Sequence, residues 1–97
     1  MIANFLKPVS SFASFSLKAN ILLSSSAPAE AYRYYSEAHN IDAQNIEAII
    51  GLAKASLKLN KMKAVDEYTS LAVETSPTDI RALLWQAQYQ LLKKNYL

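Results

Sequence analysis

The sequence predicts an all-α protein, an α-solenoid of antiparallel helix pairs with about five helices, and three observations predict it. One glycine and three prolines in 97 residues leave little material for hairpin turns, while Ala, Leu, Lys, Ser and Tyr dominate. Apolar residues recur with helical spacing along most of the chain. Small residues recur at one long interval: Ala19, Ala53 and Ala87 stand 34 positions apart, a period that stacked helix pairs leave in a sequence.

Each element has its own signature. Phe12, Phe15, Ala19 and Leu22 share a face and seed the first helix. The second starts near Pro28, where a missing N–H costs nothing, and carries Ala31, Tyr35 and Ala38. Ile46, Ile49, Leu52, Ala53 and Leu57 make the face of a third. Asn60 is placed to cap a fourth that carries Val65, Tyr68, Leu71 and Ala72. Ser76-Pro77-Thr78-Asp79 reads as the start of the fifth, with Ser at the cap, Pro at the first helical position and an acid three residues on. That helix is expected from about Thr78 to Asn95. The same step of 34 links Tyr34 with Tyr68, Ser36 with Ser70, Ala38 with Ala72, Ala48 with Ala82, and Leu23 with Leu57 and Leu91.

Composition bounds the class of protein. A hydrophobic content of 52% in a chain of this length suits one folded unit with one core. With no cysteine there is no disulfide framework, thiolate zinc site or cysteine nucleophile, which suits a reducing compartment. A cytoplasmic location is expected. Before Glu30 there are two lysines and no acid, whereas from Glu30 onward eight bases balance eight acids, which argues against nucleic-acid binding by bulk charge. No apolar run approaches the roughly 20 residues that span a bilayer, since IEAIIGLAKASL is broken by Glu47, Lys54 and Ser56. The segment from Met1 to Ala29 is Ser-rich, acid-free and amphipathic. An organelle transit peptide can look like this, but the lack of Arg favours a structural helix, and Ser14, Ser16, Lys18 and Asn20 interrupt any secretory signal.

No catalytic constellation is present in the pattern, and neither a cofactor nor a metal is expected. His39 is the only histidine, and Glu37, two residues away, points to another face of the same helix. Asp66 and Glu67 are adjacent and read as solvated charges, and no Gly-rich loop could cradle a phosphate. The cluster Tyr32, Arg33, Tyr34, Tyr35 lacks the surrounding positive charge of a base-stacking platform and reads as core and inter-repeat packing.

Taken together, these positions resemble the tetratricopeptide repeat, a 34-residue helix–turn–helix with large and small residues at set places on the first helix and Ala, an aromatic and Ala on the second. Phe15, Ala19, Leu22, Ala31, Tyr35 and Ala38 match in residues 12 to 45; Ile49, Leu52, Ala53, Ala72 and Pro77 match in 46 to 79; Leu83, Ala87 and Tyr96 match from Ile80 on. Lys18, Ser56, Val65, Thr69, Gln86 and Gln90 depart from the preferred types. The resemblance implies an N-terminal extension over 1–11 and a repeat domain over 12–97: repeats 12–45 and 46–79, then a capping or partial repeat 80–97. Small residues suit such a stack because helix axes approach to about 8 to 10 Å only where side chains are short.

The resemblance also implies a non-enzymatic protein–protein interaction module whose ligands lie in a concave groove lined by the first helix of each repeat. The groove positions carried over are Asn20, Ile50, Lys54, Leu57, Lys58, Arg81, Leu84, Gln88 and Leu91, with Ala13, Ser16, Leu23, Ser24, Glu47 and Leu92 beside them. Lys54, Lys58 and Arg81 interleaved with apolar residues would suit a protein or peptide partner that is acidic and apolar. The family's grip on chaperone tails needs Lys, Asn and Arg at set places. Only Asn20 and Arg81 match, Ser16, Gly51 and Trp85 standing at the others, which argues against that role. The competing expectation is a self-assembling unit, a homo-oligomer formed through Trp85, Tyr89, Tyr96 and Leu97 of the last helix, or a fragment of a longer repeat protein.

Overall fold

A computed structural model describes residues 18–23 and 27–96. Residues 18–23 are helical and form the described part of α1; α2 (Pro28–Ile41), α3 (Ile46–Lys58), α4 (Met62–Thr75) and α5 (Ile80–Tyr96) follow. The chain is all-α, with no strand among the described residues. Phe12, Phe15 and the extension over 1–11 lie outside them. Pro28 stands in the first turn of α2, as its chemistry requires.

The long step recurs in the backbone itself. Between α2 and α3, the Asp42 N–H donates to the Ala38 carbonyl at 3.1 Å and the Asn45 N–H to that of Asp42 at 3.2 Å. Between α4 and α5, Ser76 donates to Ala72 and Asp79 to Ser76, both at 3.1 Å, each atom one full step further along the chain. Asp42 and Ser76 have nearly equal dihedrals, φ −142° ψ 95° and φ −141° ψ 82°. The turns at the other end match too: the Ala27 N–H donates to Leu22 at 2.8 Å and the Lys61 N–H to Ser56 at 2.9 Å.

This register corrects two expected caps. Asn60 does not cap α4. Its φ is 60°, its N–H bonds the Leu57 carbonyl at 3.0 Å, and the following Lys61 N–H reaches back to Ser56, a paired closure that terminates α3. Asn tolerates the left-handed backbone that this closure demands. Ser76 likewise ends α4 rather than starting α5, and Pro77 and Thr78 form the turn. Asp79 caps α5: its side chain accepts from the Arg81 N–H at 2.8 Å, as the Asn45 side chain accepts from Ala48 at 3.3 Å to cap α3.

The core is built round α3. The second helices bury one stripe each, Ala31, Tyr35 and Ala38 on α2 and Val65, Thr69 and Ala72 on α4, whereas α3 buries nine of its 13 residues. Leu52 and Ala55 face Ala19, Ala31 and Tyr35; Ile46, Ile49, Ile50 and Ala53 face Val65, Ala72, Ala82, Trp85 and Tyr89. Polar links tie neighbouring helices. The Trp85 indole N–H donates to the Thr69 hydroxyl at 2.8 Å within the core, and the Tyr89 hydroxyl donates to Asp66 at 2.6 Å. Tyr32 and Tyr68 meet edge-on with hydroxyls 3.1 Å apart, joining the second helices of successive repeats. Ala19 and Ala53 are fully buried, but Ala87 is exposed, because no described helix lies against that side of α5. Leu83, which matches the repeat pattern, is 42% exposed for the same reason.

Burial and, for Tyr68 and Tyr89, hydrogen bonding push the hydroxyls of Tyr35, Tyr68 and Tyr89 up to about 12. Weakened acidities of this kind stabilise the fold fully below the ordinary tyrosine value near 10 and cease to do so as pH rises through about 12. Thermal melts should therefore show stability falling between about pH 10 and 12, with these tyrosines ionising only as the helices unfold; early, melt-independent ionisation followed by ultraviolet absorbance would refute it. Ala53→Leu should cost roughly 1 to 3 kcal/mol in urea melts, since α3 has no room for added methylenes, while Lys63→Leu at the exposed start of α4 should cost almost nothing.

Candidate partner-binding groove

The first helices of successive units, α1, α3 and α5, bound a cleft of about 350 Å³. Its lining takes Asn20 from α1, Glu47, Ile50, Gly51 and Lys54 from α3, and Arg81, Leu84, Trp85 and Gln88 from α5, with Tyr35 reaching in from α2. Of the residues expected in a groove, Asn20, Ile50, Lys54, Arg81, Leu84 and Gln88 are brought together here. Leu57 and Lys58 are not. They lie in a separate cleft of about 690 Å³ with Asn60, Met62, Asp66, Tyr89 and Lys93, at the far end of α3. Leu91 is 64% exposed and lines neither cleft.

Tyr35 was not expected in the groove, and one residue explains how it arrives there. Gly51 is the only glycine of the chain, and a Cβ at that position would collide with the Tyr35 ring. Helical interiors disfavour Gly by about 1 kcal/mol relative to Ala, so its presence marks a close approach. The ring passes over the α3 backbone and its hydroxyl donates to the Asn20 side chain, joining α1 to α2 at the cleft floor. Trp85 forms the wall on α5.

The charges are less uniform than the sequence suggests. Arg81 grips Asp79 through Nε at 3.1 Å and a terminal nitrogen at 2.9 Å, which holds the Asp79 carboxyl below its usual range and pushes the guanidinium up. This cation is already matched within its own turn. Lys54 places its ammonium 5.8 Å from the Trp85 ring centre and is the cation that the groove offers, with the carboxylate of Glu47 two turns earlier on the same helix and in the same lining. Lys54, Lys58 and Arg81 thus do not form one positive rim.

Trp85 and Tyr89 are turned inward, 5% and 3% exposed, stacked on each other at 6.1 Å and hydrogen-bonded to α4. This overturns the expectation that they present a surface to a second copy: the helix they belong to uses them to attach to its own chain. Leu97 and the Tyr96 side chain lie outside the described residues. Among the described residues no group of His, Cys, Asp and Glu could hold a metal ion, and no helix is long and apolar enough to cross a membrane.

The family model described as tetratricopeptide repeat matches residues 22–93. No curated protein and no solved structure matches the chain.

Gly51→Ala should destabilise the protein by about 1 to 2 kcal/mol, the overpacking against Tyr35 outweighing the gain of about 1 kcal/mol in helix propensity. In a Tyr35→Ala background the same change should become neutral or favourable, a coupling that a double-mutant cycle in urea would read directly. An equal cost in both backgrounds would deny the ring its place over Gly51.

Proposed function

Because the chain belongs to the tetratricopeptide repeat family, whose members are generally protein–protein interaction modules, we propose that it binds a segment of another protein in the cleft between α1, α3 and α5. One observation carries the reading: three first helices converge on a cleft whose apolar wall, Ile50, Leu84 and Trp85, is ringed by a few polar groups, Asn20, Glu47, Lys54 and Gln88. Leu84 is 56% exposed, so an apolar ligand side chain placed on it removes water from both partners. Burial of a ligand's apolar anchor against these side chains supplies affinity, while Lys54 and Gln88 set its orientation.

The ligand suited to this cleft is a peptide with a large apolar residue and one acidic residue nearby. Lys54 is the cation available to that acid, since Arg81 is engaged by Asp79. A strongly acidic ligand is disfavoured by Glu47 in the same lining. Binding uses preformed side chains and involves no catalysis.

Selection from a random peptide library on the immobilised protein tests this. Selected peptides should combine an apolar anchor with an acid, should bind Leu84→Asp at least tenfold more weakly, and should lose part of their affinity for Lys54→Glu, with helicity unchanged in both variants. Binding that ignores Leu84→Asp and Lys54→Glu yet falls on substitution of Leu71 or Glu74, on the exposed side of α4, would move the site away from the groove.

A further inference from the structure

Helix α5 is apolar on two opposite sides. Ala82, Trp85 and Tyr89 point into the core. Ile80, Leu83, Leu84 and Leu91 are 78%, 42%, 56% and 64% exposed, and Ala87 is exposed with them. At 3.6 residues per turn these five fall within one arc of about 100°, centred opposite the buried three. Half of the large hydrophobic residues that the described chain exposes lie on this stripe. A helix with only one neighbouring layer has no use for such a second face.

The counterpart positions on α3 give the scale of what is uncovered. One repeat earlier, Ile46, Ile49 and Ala53 are 4%, 0% and 0% exposed, closed over by neighbouring helices. On α5 the same face is open. It keeps the residue types that a close helix contact needs, large side chains on either side of one small residue, Ala87.

The pattern is self-complementary. Laid antiparallel across a two-fold axis at Ala87, two α5 helices oppose Ala87 to its own copy, Leu83 to Leu91 and Ile80 to the stem of Lys94. Lys94 falls on the same stripe, its stem covering Ile80 while its ammonium reaches water. Large meets large and small meets small. We propose that the open side of α5 is an isologous dimer interface, its occupant the same face of a second copy of this chain. It involves neither Trp85 nor Tyr89, which stay in the core of each copy. Leu84 borders both this stripe and the peptide cleft, so dimerisation encloses one edge of the cleft without filling it. An interface of two crossing helices lies at the small end of specific contacts, so dissociation at about ten to a hundred micromolar is expected.

The absence of native cysteine gives a direct test on the full chain. Sedimentation equilibrium should show a mass rising from 10.8 kDa toward twice that value across the micromolar range, and no further. Ala87→Cys, opposed to itself across the axis, should form a disulfide-linked dimer under mild oxidation. Leu83→Cys alone should link at least tenfold more slowly, while Leu83→Cys with Leu91→Cys should link readily. Ala87→Glu should abolish the dimer with unchanged helicity and thermal midpoint, because the position is exposed in the single chain. A mass that stays at the single-chain value up to several hundred micromolar overturns the proposal and leaves the stripe to a different protein. Masses that climb beyond the dimer, or cross-linking at Leu83→Cys but not at Ala87→Cys, overturn the two-fold geometry. None of these readouts depends on peptide binding, so failure here leaves the groove reading standing.

Discussion

The close packing around α3 is the constraint on which the rest of the molecule depends. A helix with neighbours on several sides can approach them only where its side chains are short, and α3 meets this with Ala48, Gly51, Ala53, Ala55 and Ser56, all buried. The large residues Ile46, Ile49, Ile50 and Leu52 occupy the spaces between those contacts. Because α3 touches α2, α4 and α5, its small residues decide how close each of the others stands. The groove inherits its shape from the same economy: Gly51 lets Tyr35 cross the helix and reach Asn20, and without that crossing α1 would lose its hydrogen bond to α2.

Much of this was legible in the sequence, for a physical reason. Every helix pair faces the same geometric problem, so the same small residues return at the same step, as Ala38 and Ala72 or Ala48 and Ala82 do, and the step reappears in the turn hydrogen bonds. The caps were harder. Ser and Asn are favoured both where a helix begins and where one ends or turns, so Asn60 and Ser76 could not be assigned from local chemistry. The long step does distinguish them, since Asn45 and Asp79 stand one such step apart and perform the same capping.

The groove divides in the same way. Residues on first helices, such as Ile50, Lys54 and Leu84, followed from register, whereas Tyr35 reaches the cleft from a second helix and only the isolated Gly51 hinted at it. Arg81 looked available because its partner sits just two positions away, a spacing at which side chains within a helix diverge. Asp79 is the cap, outside the helix, and is free of that restriction. Trp85 and Tyr89 looked exposed because the α4 residues that receive their hydrogen bonds, Thr69 and Asp66, are polar and carry no hydrophobic signal.

The order in which helices touch has a kinetic consequence. Contacts join α2 to α3, α3 to α4, and α5 to α3 and α4, all close in sequence. Little chain entropy is lost in closing such short loops, which places the protein among fast folders. The α3–α4 hairpin, shut by the paired turn at Asn60, is the natural nucleus, from which α2 and α5 add in either direction. Fraying runs the opposite way, so the protein can shed α5 while the rest of the stack persists, and its one tryptophan reports on that end of the chain alone.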